Sequence, residues 1–165
     1  MPNPFLQHKL FDLAAPRHLG RGQAKNSAGA THTIVWVDGV IRINGIAVES
    51  VPLQPQFLDF AYDTADRPQI CFQGATASVV RYWDVNSSAY VVVGLGATAV
   101  QPIICNEREL AGLNTIVAYL KGNIPHYRLL SDGYLIEYQW ASAQYAGIKA
   151  LGYCAQANSI NLLLG

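Results

Sequence analysis

The sequence predicts an all-β domain of short antiparallel strands, a sandwich or a set of propeller-blade-like repeats, preceded by an extended N-terminal arm. Three observations predict it. Asp38-Gly39 and Asn44-Gly45, both two-residue hairpin signals, separate runs rich in Val and Ile. The stretch 68–94 is echoed by 102–130: Pro68, Cys71, Tyr82 and Tyr90 recur as Pro102, Cys105, Tyr119 and Tyr127. Recurrence at a near-constant spacing is the mark of stacked units that bury their apolar faces on one another. Outside the first thirty residues, no helical periodicity runs beyond about three turns.

The arm is assigned to residues 1–30 and the all-β domain to 31–165. Residues 1–30 hold three prolines, and Lys9, Arg17, Arg21 and Lys25 face a single acid, Asp12. Phe5, Leu6, Leu10, Phe11 and Leu13 fall at roughly helical spacing, which predicts a short amphipathic helix over 5–14; residues 16–30 read as loop. Five large apolar side chains so close together need a groove, in this chain or a neighbour. With Arg17 and Arg21 they form the candidate subunit-contact arm.

Strands are expected next at 33–37, 40–43, 46–48 and 57–62, with a loop over 63–67 in which Asp66-Arg67-Pro68 reads as a turn holding a salt-bridged Arg. Within the repeats they are expected at 69–73, 78–84 and 90–94, then at 103–106, 115–120 and 127–130. The intervening segment 107–113 has room for one helical turn. A tight turn at Ser131-Asp-Gly133 leads into an expected strand over 134–140, and 147–153 with 159–164 supplies a last hairpin-like pair.

Composition narrows the function classes. Of 165 residues 51% are apolar, which excludes disorder for most of the length. Only 13% are charged, 11 basic against 11 acidic. A chain so balanced does not attract nucleic acid or an acidic membrane over a broad surface. Near-zero net charge favours association, so other subunits are expected to cover part of the surface. No apolar run reaches the ~20 residues of a membrane helix, and no basic-then-apolar leader opens the chain, so synthesis in the cytoplasm is expected. The three cysteines, Cys71, Cys105 and Cys154, lie in apolar runs without metal or disulfide spacing and read as buried thiols. Cys71 and Cys105 hold matching repeat positions, which would let them approach each other.

No motif spells out a reaction. His8, His18, His32 and His126 form no ligand pair, no Gly-x-Ser-x-Gly elbow occurs, and Gly94-Leu-Gly96 lacks the third glycine and the helix of a dinucleotide loop. Neither catalytic residues, nor a metal site, nor a cofactor is expected. Carboxylates such as Asp59, Asp63, Asp84 and Glu137 near aromatic residues would suit glycoside cleavage only if two faced one groove. Binding without cleavage has a better basis. In Arg81-Tyr82-Trp83-Asp84, alternation sets Tyr82 and Asp84 on one face and Arg81 and Trp83 on the other. Tyr82, Trp83, Asp84 and Tyr119 make a candidate recognition surface; the plainer alternative puts Trp83 in the core with Arg81 at its edge.

The segment 116–138, Ile-Val-Ala-Tyr-Leu-Lys-Gly-Asn-Ile-Pro-His-Tyr-Arg-Leu-Leu-Ser-Asp-Gly-Tyr-Leu-Ile-Glu-Tyr, resembles the β-propeller-like repeats of virion proteins from tailed bacteriophages. There a strand ending in Ala-Tyr-Leu leads through a short turn into Tyr-Arg, and a second turn gives a strand containing Glu. Leu151-Gly-Tyr153 and Ile160–Leu163 resemble the closing part, so the likeness spans roughly 68–164. The chain departs from it at Ser131-Asp-Gly133, where basic residues are expected, and no family site residue carries over. The resemblance implies a structural subunit of a phage particle, in the tail, an adaptor or the capsid surface. Its implied partners are other virion proteins and copies of itself, with recognition of a host-surface glycan as the alternative.

Overall fold

The computed structural model describes residues 18–106, 115–154 and 159–165. They form four antiparallel sheets, each a meander whose strands pair in chain order. The first contains β1 (His18–Gly20), β2 (Gln23–Lys25), β3 (Thr31–Val37), β4 (Val40–Ile43) and β5 (Ile46–Ser50). The second contains β6 (Phe57–Tyr62), β7 (Pro68–Gln73), β8 (Ser78–Asp84) and β9 (Ala89–Gly96). β10 (Ala99–Asn106), β11 (Thr115–Lys121), β12 (Ile124–Leu129) and β13 (Tyr138–Gln139) make the third, and β14 (Ile148–Cys154) with β15 (Ser159–Leu164) the fourth.

The sheets stack face to face through three apolar layers, as propeller blades do. Ile34, Ile41 and Ile43 of the first sheet meet Phe60, Tyr62 and Ile70 of the second. Cys71, Val80 and Tyr82 on the opposite face of the second meet Ile104, Val117 and Tyr119 of the third. Ile103, Cys105, Ile116, Ala118 and Leu120, on the far face of the third, meet Ile148, Leu151, Leu162 and Leu164 of the fourth. Two-sided burial explains why β11, Thr-Ile-Val-Ala-Tyr-Leu, reads as a continuous apolar run without alternation.

At the centre of the stack, β10 runs between β6 and β14. Edges bared there by neighbouring sheets are bridged by side chains. Asp59 on β6 accepts the Gly22 amide at 2.7 Å and the Ile104 amide at 3.0 Å. Gln101 accepts the Ile148 amide at 3.0 Å and donates its own backbone N–H to Gln73 at 2.8 Å.

Several expectations need correction. The loop expected over 16–30 supplies β1 and β2 from His18 onward; Ala24 is wholly buried, and Gly22 accepts the Ile34 amide at 3.0 Å. The all-β body therefore begins by His18. Phe5, Leu6, Leu10, Phe11, Leu13 and Arg17 lie outside the described residues, as do the helix expected over 5–14 and the turn at 107–113. Arg21 turns inward within its own chain: it donates to the Pro102 carbonyl and lies 4.9 Å from the centroid of the Phe57 ring.

The strand expected over 134–140 shrinks to Tyr138–Gln139. A 3₁₀ turn over Leu130–Asp132 precedes it, and Gly133 and Tyr134 follow with φ of 68° and 59°. A left-handed backbone is rare for a bulky aromatic residue, and here it drives the Tyr134 side chain into the layer between the second and third sheets.

The repeat holds as two three-stranded meanders, but its register slips. Tyr82 and Tyr119 face the same layer, whereas Cys71 and Cys105 face different ones. The irregularity in β10 between Val100 and Ile103 shifts its pairing, so that Ile104 takes the place that Cys71 holds in the second sheet. Both cysteines are buried and outside any disulfide. Tyr90 pairs with Trp83, but Tyr127 pairs with Ala118, because β11 and β12 are joined by a tighter turn.

Candidate functional site

β8 ends at Asp84, and the chain reverses through 85–88 before β9. Around that end of the second sheet three loops converge, 63–67, 85–88 and 130–135, and between them lies a cleft of about 610 Å³ lined by Asp63, Arg67, Tyr82, Trp83, Asp84 and Asp132 among others. Tyr82, Trp83 and Asp84, read from sequence as a recognition surface, thus share one cleft.

Each wall is held by its own chemistry. Asp63 is almost fully buried and caps its loop: Oδ1 accepts the amides of Ala65 and Arg67 at 2.8 and 2.9 Å, and Oδ2 accepts Arg67 Nε at 2.8 Å. The salt-bridged Arg read in this turn is therefore present. Arg67 lies over Trp83, its guanidinium carbon 5.3 Å from the ring centroid, and Tyr90 meets the same indole edge-on at 5.2 Å. Trp83 is half-buried between them, so neither a bare platform nor a core residue describes it. Arg81 does not edge Trp83; it stacks on Tyr90 at 3.7 Å and reaches across to Glu49 of β5 at 2.6 Å.

Asp84 closes the β8–β9 turn by accepting the backbone amides of Asn86 and Ser87, each at 3.1 Å. Hydrogen bonding by the Ser87 side chain and the Asn86 backbone holds its carboxyl below the ordinary range. That is the opposite of what a general acid needs. Asp132 accepts the Leu135 amide through Oδ1 at 3.2 Å, while its Oδ2 is buried without a hydrogen-bond partner. Burial first, then the charges of Asp84 and Asp132, raises the Tyr82 phenol. A Cβ on Gly133 would sit 2.9 Å from the Tyr82 hydroxyl, so glycine is required where this loop crosses the tyrosine.

Tyr119 belongs elsewhere. It is wholly buried, donates its hydroxyl to Glu137 at 2.6 Å and accepts Arg128 Nε at 3.0 Å. Lys121 completes the Glu137 pair at 3.0 Å. Arg128 also donates to the carbonyls of Gly94 at 3.1 Å and Tyr134 at 3.0 Å, fastening the third sheet to the second. This network is a clasp between sheets rather than an open surface. Sequence reasoning missed Asp132 and Gly133 as cleft walls; their Ser-Asp-Gly signature announced a turn and nothing about what the turn faces.

Among the described residues, no three His, Cys, Asp or Glu side chains are grouped to hold a metal ion, and no helix is long and apolar enough to cross a membrane. No protein family, curated protein or solved structure matches the chain.

Proposed function

We propose that this chain is a structural subunit of a bacteriophage virion that works by assembling with other virion proteins and with copies of itself. The observation that carries the reading is the outward face of the first sheet. Alternation along β3 sends Ile34 and Trp36 into the first apolar layer and leaves Val35 and Val37 outside, 43% and 45% exposed. Val40 pairs with Val37 and extends the same outward face. The inward faces of the stack are covered by a neighbouring sheet; this one presents Val35 and Val37, beside Thr33 and Arg42, without a cover among the described residues. Beside it β5 is the edge strand of the sheet among the described residues and exposes Ile46, and bare edges of this kind are sites of pairing with another chain. Low charge and near-zero net charge remove the usual barrier to association.

Light scattering on the purified full chain tests the assembly. The expected result is an oligomer that Val35→Lys with Val37→Lys disperses without lowering the thermal midpoint; a monomer at all concentrations overturns it. Immunogold labelling of purified particles tests the virion assignment separately. Label at a fixed position is expected, and unlabelled particles overturn the assignment.

A further inference from the structure

We propose that the cleft at the end of the second sheet binds a neutral saccharide. This goes beyond a role in assembly and rests on other residues. A volume of about 610 Å³ falls within the usual range of small-ligand sites, about 300–1,000 Å³. The walls are pre-set, since Asp63 and Asp84 fix their loops by backbone hydrogen bonds and Tyr134 anchors the third loop in the core.

The polar groups left over define the ligand. Tyr82 lines the cleft and turns its hydroxyl toward the facing loop, where a Cβ on Gly133 would lie 2.9 Å from it. Arg67 donates Nε to Asp63 at 2.8 Å, and its guanidinium lines the cleft. Asp132 Oδ2 is buried without a donor, and a buried carboxylate oxygen demands one. The cleft thus offers donors and acceptors side by side next to an indole, and a sugar hydroxyl is both donor and acceptor.

Charge decides against the alternatives. Three aspartates to one arginine in the lining repel phosphates and acidic sugars. A cationic ligand would find Arg67 already over the Trp83 ring. A neutral, hydroxyl-rich ligand meets neither obstacle.

The test uses the full chain with methyl glycosides of glucose, galactose, mannose and N-acetylglucosamine, followed by tryptophan fluorescence and by protein NMR shifts. Saturable binding of at least one glycoside is expected. Tyr82→Phe deletes only the hydroxyl, so it should weaken that binding about tenfold while the melting temperature holds. Trp83→Phe keeps the aromatic packing and should abolish the fluorescence response. The proposal is overturned if no glycoside binds saturably, if Tyr82→Phe binds as the parent does, or if only a lysine-rich peptide or inorganic phosphate binds the cleft.

Discussion

Asp59 and Ile104 lie in different sheets, and the Asp59 carboxylate accepts the Ile104 amide through Oδ2 at 3.0 Å. Its other oxygen accepts the Gly22 amide of the first sheet at 2.7 Å. A wholly buried side chain on β6 therefore ties three sheets together at the point where their innermost backbones meet. Such edges have no strand to pair with, and an unpaired buried amide costs about 1–3 kcal/mol.

Asp59→Asn turns one acceptor into a donor that faces an N–H. Urea unfolding should show a loss of about 2 kcal/mol. An unchanged midpoint would mean that the inner edges find partners elsewhere.

Gly133 and Tyr82 form a second pair that cannot tolerate a side chain between them. Gly133→Ala adds a Cβ 2.9 Å from the Tyr82 hydroxyl at a residue with φ of 68°. The left-handed backbone and the clash together should lower stability by about 2 kcal/mol. Tyr82→Phe removes the clashing oxygen, so the double variant should recover part of that loss. A double-mutant cycle with coupling below about 0.5 kcal/mol would show that the two do not interact.

Truncation tests what β1 and β2 contribute to the body. Deleting residues 1–17 removes none of the contacts described above, and cooperative melting followed by circular dichroism should persist. Deleting 1–30 strips Ala24 from its core and the Gly22 amide from Asp59. It should cost several kcal/mol, on the order of 4 or more. If both truncations melt alike, β1 and β2 contribute nothing to the fold.

The same boundary shows what the sequence conceals. The Asp38-Gly39 and Asn44-Gly45 hairpins were legible because both residues of each turn take positive φ, 50° and 81° in one, 47° and 81° in the other, and few dipeptides accept that. β1 and β2 have only three residues each, too short to display an alternation, so Pro16, Gly20, Gly22 and Gly29 in and around them dominate the reading. Tyr82, Trp83 and Asp84 were legible as neighbours from one strand. Their companions Arg67 and Asp132 come from separate loops, and only the stacking of two sheets brings them together. Tyr119 was misread because both faces of its sheet are covered, a property of neighbours that no single strand encodes.

Tyr119 and Glu137 set the pH limits of the clasp they share, a hydrogen bond of 2.6 Å. Burial first, then the hydrogen bond to Glu137, raises the Tyr119 phenol far above its ordinary value. Burial likewise raises Tyr134, and it leads the upward shifts of Tyr62, Tyr82 and Tyr90. A folded pKa above the unfolded one stabilises the protein fully below the unfolded value, about 10 for tyrosine, and that contribution disappears as the pH rises past it. Glu137 runs the other way. Burial pushes it up, but hydrogen bonds from Tyr119 and Lys121 and the charges of Lys121 and His126 overcome this and lower its carboxyl. Its contribution is present above the unfolded value, about 4.3, and is lost as the pH falls through the folded one. The tyrosinate absorbance of these five residues should therefore rise in one cooperative step with unfolding above about pH 10. Tyr119→Phe should make the alkaline loss shallower, and Glu137→Gln should do the same on the acid side. Gradual titration of these tyrosines in a protein that stays folded would break the assignment.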